Sequence, residues 1–298
     1  MNEDIERSRA RVSRRRALAL GGTVGLSGLI AACAGDGPGG TATSVSTPAT
    51  GAAAAASGDV TALLARAPQC VMTAEETQGP YWFDVDSIRN DLREDRPGAT
   101  LELAIRVQDL QQCTPDGSVG GVANAVVEIW HCDAGGVYSG FESGSQAANG
   151  GPPPGGPGGP GGGAPGGPGG GAAEYSDGSY SSGDAESATT DDGTYLRGAQ
   201  TTDANGIATF TTIFPGWYQG RTTHIHLKVH VNRATVLTSQ LYFEEALIDE
   251  VYASAPYTEH TGRENNVDNA ADGIFDASGM VTTAKTADGY LGAINIGV

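Results

Sequence analysis

The stretch YQGRTTHIHLKVHV, residues 218–231, decides the fold because its second half alternates strictly between two kinds of side chain. From residue 224 onward, one parity is apolar and the other carries His224, His226, Lys228 and His230. Such alternation predicts a β-strand with one apolar face. Two histidines at i and i+2 of a strand point the same way, roughly 6.5–7 Å apart. Their imidazoles can converge on one metal ion, although strands also carry histidine on a solvent face.

Further strands are predicted on both sides of this one. Alternating or continuous apolar residues, bounded by turn signals, occupy residues 101–107, 122–130, 207–214 and 236–243, and residues 244–253 have the pattern of one short helix. Short strands separated by turns indicate an all-β protein, an antiparallel β-sandwich with long loops and little helix.

The N-terminus has the pattern of an export signal. The sequence SRRRAL at residues 13–18 resembles a twin-arginine signal, and the apolar run that follows, residues 17–32, is short for a membrane span. The run ends in LIAAC, which resembles a lipoprotein cleavage box with Cys33 as the lipidated residue. Residues 1–33 are therefore predicted to direct an exported lipoprotein to the outer side of the cytoplasmic membrane. An ordinary signal peptide with a chance cysteine is the alternative.

Two low-complexity tracts divide the rest of the chain. Residues 34–65 are rich in Ala, Gly, Ser and Thr and are predicted to form a flexible tether. The folded domain is predicted over residues 66–298, interrupted by a disordered Gly/Pro-rich insertion at about residues 148–190.

Charge excludes several classes of partner. Residues 1–32 contain six arginines and three acids, so the remaining chain has 11 basic and 32 acidic residues, a net charge of −21. A surface of this sign repels nucleic acid and anionic membranes. We therefore expect no nucleic-acid partner, and membrane association only through the lipid anchor.

With Cys33 assigned to the lipid, Cys70, Cys113 and Cys132 remain, and an oxidising compartment favours pairing of two of them. If residues 101–110 and 122–131 form a hairpin, Cys113 lies near its turn and Cys132 at its far end, too far apart to bridge. This argument favours a Cys70–Cys113 disulfide with Cys132 free.

Two turns follow predicted strands and present a tyrosine. VEIWHCDAGGVY ends in Tyr138, and IFPGWY ends in Tyr218, three residues before Arg221. An upstream segment, residues 77–82, reads TQGPYW, and residues 91–98 read DLREDRPG. Together these motifs resemble the intradiol ring-cleavage dioxygenases, the family of protocatechuate 3,4-dioxygenase and catechol 1,2-dioxygenase. The resemblance runs from about residue 70 to residue 298 and is closest to the exported group without the helical dimerisation domain, so it implies no oligomeric state.

The resemblance implies one non-haem Fe(III) per chain, held by two tyrosines and two histidines: Tyr138, Tyr218, His224 and His226. Phenolate oxygen is a hard anionic donor that suits a ferric ion, and a bound trivalent cation ionises the phenol. The implied reaction cleaves a catechol-type aromatic ring with O2 to a cis,cis-muconate-type diacid. Tyr218 would leave the metal and act as a base, and Arg221 would stabilise negative charge on the substrate.

The same comparison assigns Pro80 and Tyr81 to the substrate pocket, with a structural role for Tyr81 left open. It places His131 and His230 outside the ligand set. In this chain Thr222 follows Arg221, where relatives often have proline. Two other functions fit these residues less well. A non-catalytic exported β-sandwich module would not need two tyrosines beside two histidines. The other is a hydrolytic or copper-binding histidine site, and copper would prefer nitrogen and sulfur ligands to two phenolates.

Overall fold

The computed structural model describes residues 62–114, 120–145 and 174–298. The predicted signal, Cys33, the tether up to residue 61 and the Gly/Pro-rich tract up to residue 173 lie outside the described residues. Within the described part, no helix has the length and apolar character needed to cross a membrane.

Most of the regular structure is β, as predicted. The strands are β1 (Thr100–Asp109), β2 (Gly120–Gly121), β3 (Val126–Trp130), β4 (Glu174–Tyr175), β5 (Ala185–Glu186), β6 (Arg197–Thr201), β7 (Ile207–Ile213), β8 (His224–Val231), β9 (Ala234–Tyr242), β10 (Thr282–Lys285) and β11 (Gly289–Gly297). Helix α1 (Glu245–Tyr252) follows β9, where a short helix was expected. Short 3-10 turns occur at Leu110–Gln112, Tyr257–Glu259, Arg263–Asn265 and Ala277–Gly279.

Two sheets form the sandwich. The first has the order β10-β11-β1, with β2 and β7 both pairing β1, and the second has the order β6-β3-β8-β9. Strands β1 and β11 run parallel, whereas the other ladders of both sheets are antiparallel. Strands β1 and β3 therefore lie in different sheets, and the hairpin expected between residues 101–110 and 122–131 does not form.

The core fills the space between the sheets. Leu103 of β1 and Phe210 of β7 meet Ile129 of β3 and Leu227 of β8, and all four side chains are buried. The alternation in β1 and β8 places every second residue in this core, which is why both strands take their present register. Burial of each such side chain contributes about 1.5–3 kcal/mol.

The outer face of β8 is not open to solvent. His224, His226, Lys228 and His230 are each no more than 2% exposed, because the chain around residues 79–86 and 176–184 covers them. The solvent face that the alternation allowed is therefore a second buried layer, and it is polar.

Two boundaries differ from the sequence predictions. Residues 174–190 are ordered, not part of a disordered insertion: β4 pairs β5, and Tyr180 and Ser181 are buried. Their polar composition is typical of a loop, but here the polar groups bond across to neighbouring segments. At the other end, residues 62–66 are helical, and Leu63 and Leu64 are buried, so the folded part includes residues assigned to the tether.

A disulfide joins Cys70 to Cys113, with their Cα atoms 5.8 Å apart, and Cys132 is a free, buried thiol. The sequence favoured this pairing, although residues 101–110 and 122–131 do not form the hairpin from which it was predicted.

Candidate metal centre

The turn after β3 places Tyr138 by main-chain hydrogen bonding. The Asp133 side chain accepts hydrogen bonds from the Gly135 and Val137 amides at 2.9 and 3.0 Å, and Gly136 has a φ of 82°. An aspartate that bonds to the backbone two residues later is a common way to close such a turn. The Tyr138 amide then donates to Ser145 Oγ at 2.9 Å, and the tyrosine side chain is fully buried.

The turn that carries Tyr218 packs directly against the turn that carries Tyr138. The Gly216 amide donates to the Asp133 carbonyl at 3.1 Å. A Cβ at residue 216 would lie 2.3 Å from that carbonyl oxygen, so the approach requires glycine. The two tyrosine motifs, 80 residues apart in the chain, are thus one structural unit that sets the distance between the phenols.

Strand β8 supplies the two histidines. His226 lies opposite Trp130 in the β3–β8 ladder, and the two rings stack with centroids 4.9 Å apart and an interplanar angle of 4°. His224 Nδ1 donates to the Thr222 carbonyl at 2.7 Å. That bond leaves the lone pair of His224 on Nε2, the nitrogen that faces the tyrosines.

Four polar atoms meet at one point. The Tyr218 hydroxyl lies 3.0 Å from His224 Nε2, the Tyr138 hydroxyl lies 3.4 Å from the same nitrogen, and His226 Nε2 lies 3.2 Å from it. The structure therefore brings Tyr138, Tyr218, His224 and His226 together, as the sequence predicted. Their assignment as metal ligands stays a prediction.

Without a cation, burial keeps these groups neutral. It raises the pKa of both Tyr138 and Tyr218 above the ordinary value, and it lowers the pKa of His224 to about 3 and that of His226 well below its usual range. His226 Nδ1 is buried without a hydrogen-bond partner.

The donor set fits a hard trivalent cation. In the described part of the chain, no group of three or more His, Cys, Asp or Glu side chains could hold a metal, so a metal here would have to use the phenol oxygens. Two phenolates and two neutral imidazoles would offset most of the charge of a ferric ion and leave coordination positions open. The residues present therefore fit the Fe(III) that the sequence resemblance implies.

Arg221 lies beside the cluster in a network that the sequence did not indicate. Its Nε donates to Asp272 Oδ2 at 2.9 Å and its Nη2 donates to Gln240 Oε1 at 2.5 Å. Burial lowers the pKa of Arg221, but Tyr218 and Asp272 outweigh that effect and hold it above its usual range. Asp272 is in an irregular segment 51 residues further along the chain, so no local pattern marked it.

The segment that carries Pro80 and Tyr81 covers the cluster. Tyr81 stacks on Tyr138 with ring centroids 4.7 Å apart, whereas Pro80 is exposed. Gly79, at a φ of 68°, passes so close to the site that an added Cβ would lie 3.2 Å from His226 Cε1. Tyr81 is therefore a wall of the site, and its contact with substrate stays a prediction.

The other histidines lie outside the cluster, as expected. His131 is buried between the sheets, with Nε2 2.7 Å from Thr212 Oγ1 and Nδ1 2.8 Å from the Cys132 carbonyl. His230 Nε2 lies 3.1 Å from Glu128 Oε2, and His260 stacks on Trp217 with centroids 4.1 Å apart.

Comparison with solved structures identifies the relatives of this fold. An intradiol ring-cleavage dioxygenase from Tetranychus urticae is 26% identical, with 76% of this chain and 94% of that chain covered and a TM-score of 0.57. A second crystal structure, described as a dioxygenase, is also 26% identical, with coverages of 77% and 94% and the same TM-score. No protein-family model matches the sequence, and no curated protein matches it. By its fold and its similarity to these structures, the chain resembles the intradiol ring-cleavage dioxygenases.

Proposed function

We propose that this protein is an Fe(III)-dependent intradiol dioxygenase that cleaves catechol-type aromatic rings with O2 to cis,cis-muconate-type diacids. One observation carries the proposal: two phenol oxygens and two imidazole nitrogens converge at 3.0–3.4 Å in a buried site of a dioxygenase fold. Both oxygen atoms of O2 would enter the product, one in each new carboxyl group.

Tyr138, Tyr218, His224 and His226 would hold the iron. Bound ferric iron would supply a chelation site for both oxygens of the diol and accept electron density from the ring, which makes the ring reactive toward O2. The protein groups would control protons and charge around that step.

Tyr218 is the base that this geometry favours. Binding of a catechol as a dianion releases two protons, of which the Tyr218 phenolate oxygen would take up one and a hydroxide in the site would take up the other. We expect the protonated Tyr218 to turn toward Arg221, whose guanidinium can donate a hydrogen bond to the tyrosine oxygen. Tyr218 and Arg221 interact electrostatically in the structure.

Arg221 would stabilise negative charge that develops on the bound substrate. Its guanidinium is fixed by Asp272 and Gln240 and is only 13% exposed in its side chain. A cation held in place before the reaction stabilises the transition state without reorganisation.

Metal analysis, spectroscopy and oxygen uptake test the proposal together. The purified protein should contain one iron per chain, absorb visible light by tyrosinate-to-iron charge transfer, and consume O2 with at least one of catechol, protocatechuate or hydroxyquinol. Tyr138→Phe and Tyr218→Phe should each weaken or shift the visible band. Tyr290→Phe is the matched control, because the Tyr290 hydroxyl bonds to Glu250 and not to the site. Protein that stays colourless and inactive after iron reconstitution would support the non-catalytic module instead.

We also propose that the chain is exported through the twin-arginine route and anchored by a lipid on Cys33. That route carries folded proteins, which suits a metal inserted before export. Replacing Arg14 and Arg15 by lysine should retain the protein in the cytoplasm, and Cys33→Ser should release it from the membrane fraction. Membrane association that persists in Cys33→Ser would contradict the lipid anchor.

A further inference from the structure

Arg197 is a buried cation without a carboxylate partner in the part of the chain that the structure describes. The residue is 2% exposed, and none of the ion pairs among the described residues includes it. Burial lowers its pKa to about 10, so the guanidinium still carries its charge at neutral pH. An unpaired buried charge costs several kcal/mol in most proteins, so its retention calls for a physical reason.

The guanidinium is aimed at the residue next to Tyr138. Its Nε donates to Ser139 Oγ at 2.8 Å, and its Nη2 donates to the Ser139 carbonyl at 2.8 Å. Ser139 Oγ in turn donates to the Tyr195 carbonyl at 2.6 Å. The main chain that follows Tyr138 is therefore held by a planar, two-pronged donor, a geometry that lysine cannot reproduce.

The charge also lies against the aromatic layer behind the site. Arg197 Cζ is 4.6 Å from the ring centroid of Phe83, 5.6 Å from that of Phe141 and 6.0 Å from that of Tyr138. Arg89 donates to the Arg197 carbonyl at 2.7 Å, which fixes the start of β6 where Arg197 stands. The charge of Arg197 therefore interacts with Tyr138, on which Arg221 also acts.

We propose that Arg197 is a positioning residue for Tyr138 and the buried counter-cation of the phenolate that Tyr138 would present to iron. The inference rests on the proposed function. Arg221 is paired with Asp272, whereas no carboxylate of the described residues lies within ion-pair distance of Arg197, and Glu128 and Asp191 act on its charge from further away. A positive charge closer to the phenolate than to the metal stabilises the filled phenolate orbitals and raises the energy of charge transfer to iron.

Three variants separate the charge of Arg197 from its hydrogen bonds. Arg197→Met removes both the charge and the hydrogen bonds. Arg197→Gln removes the charge but keeps an amide donor for the Ser139 carbonyl. Arg197→Lys keeps the charge but cannot make the two parallel hydrogen bonds to Ser139. Arg93→Met, which removes an exposed guanidinium paired with Asp91, is the matched control. Each full-length variant is reconstituted with iron, and the iron content and the visible band are measured.

Both neutral variants should shift the charge-transfer band to longer wavelength, while Arg93→Met keeps both the band and the iron content of the wild type. Arg197→Lys should keep the band position but bind less iron, because the two hydrogen bonds that hold Ser139 are lost. If Arg197→Met does not fold, Arg197→Gln makes the same comparison. An unchanged band in the neutral variants, or an equal shift in Arg197→Lys, would overturn the assignment of a counter-cation. Wild-type protein without iron or a visible band would instead overturn the proposed function, so the two failures are distinguishable.

Discussion

His224 and His226 lie on the same face of β8 as Lys228 and His230, yet the two halves of this face have opposite kinds of partner. In the C-terminal half, Lys228 Nζ bonds to Asp184 at 2.6 Å, and His230 bonds to Glu128 at 3.1 Å and to Thr235 at 3.0 Å. In the N-terminal half, His226 Nδ1 has no partner, and both Nε2 atoms meet other donors of the cluster. The nitrogens of Lys228 and His230 are thus bonded to oxygen atoms of Asp184, Glu128 and Thr235, whereas the Nε2 atoms of His224 and His226 face each other and the two tyrosine hydroxyls.

This contrast shows how a binding site can be told from a structural network on one strand. Residue type does not separate them, because His230 shares its type and its parity with the two site histidines. The difference is whether each buried nitrogen has a partner of suitable chemistry. Four predictions test that difference, in order of decreasing expected effect.

Removal of a site histidine should abolish metal binding. We expect His226→Ala to lower iron affinity by more than about 100-fold, since loss of a direct ligand exceeds the 10–100-fold effect of losing an indirect one. Iron per chain after dialysis, measured by emission spectrometry, gives the result. His230→Gln is the control and should keep its iron, because His230 bonds to Glu128 and Thr235. Equal iron in His226→Ala and wild type would remove the distinction between the two halves.

Removal of Lys228 should have the reverse effect, a loss of stability without a loss of iron. Its Nζ lies 3.4 Å from the ring centroid of Trp82 as well as beside Asp184. Lys228→Met leaves the partly buried Asp184 carboxylate unpaired, and we expect the free energy of unfolding to fall by about 3 kcal/mol. Urea denaturation of the iron-loaded protein measures this.

The double variant Lys228→Met/Asp184→Asn tests whether the pair itself is responsible. Removing both charges should recover part of the loss, because no unpaired charge then remains in the interior. If the double variant is less stable by the sum of the two single effects, Lys228 stabilises the fold by packing and not by pairing.

Local sequence patterns were sufficient for the parts of this molecule that depend on neighbouring residues. The alternation of β8 and the two tyrosine turns are such parts, and the structure brings the four predicted donors together. That they bind iron stays a prediction. Asp272, Gln240 and Arg197 were not found, because each reaches the site from a distant segment with no motif of its own. The polar layer over Lys228 was missed for the same reason: residues 174–190 are folded by bonds to other segments, such as Asp184 to Lys228.

The parallel β1–β11 pair and the absent hairpin show the same limit at the level of the fold. A turn signal after β1 predicted pairing with the next strand along the chain. The structure pairs β1 with the C-terminal strand instead, and β3 joins the other sheet. Strand partners are set by which apolar faces can pack together across the whole domain, and that information is not local.

The polar layer of the C-terminal half should also make stability depend on pH. Burial and the nearby Glu128 raise the pKa of Asp84 to about 7, against about 3.9 in an unfolded chain. A carboxyl whose pKa is raised by folding contributes stability that is fully present below pH 4 and is lost as the pH rises through 7. Solvent partly screens this carboxyl, so we expect the fall in the free energy of unfolding as the pH rises to be about 2 kcal/mol smaller in Asp84→Asn than in wild type.

Unfolding of the iron-free protein between pH 4 and pH 8 measures this effect without a contribution from metal loss. Glu186 and Glu76, whose pKa values burial also raises to about 7, should keep part of the slope in Asp84→Asn. Asp288→Asn, at an exposed turn, is the control. The buried neutral histidines add stability as the pH rises, so the test is the difference between Asp84→Asn and wild type, and a difference that stays constant from pH 4 to pH 8 would contradict the prediction.

The smallest expected effect comes from a pair of glycines that belong to the two halves. Gly79 and Gly183 both have positive φ, 68° and 91°, but a Cβ at Gly79 would lie 3.2 Å from His226 Cε1, whereas a Cβ at Gly183 would meet nothing within 4 Å. Alanine at either position should destabilise the fold by about 1 kcal/mol, because L-residues disfavour the left-handed region. Gly79→Ala should in addition displace the His226 ring and lower iron affinity about threefold, since ligand geometry determines metal affinity. Iron titrations of Gly79→Ala and Gly183→Ala, done under conditions in which both variants are equally stable, separate the loss of fold stability from the loss of iron affinity. Equal iron affinity in both variants would show that the loop over His226 can move without cost to the site, and that the N-terminal half of the face is less rigid than its close packing indicates.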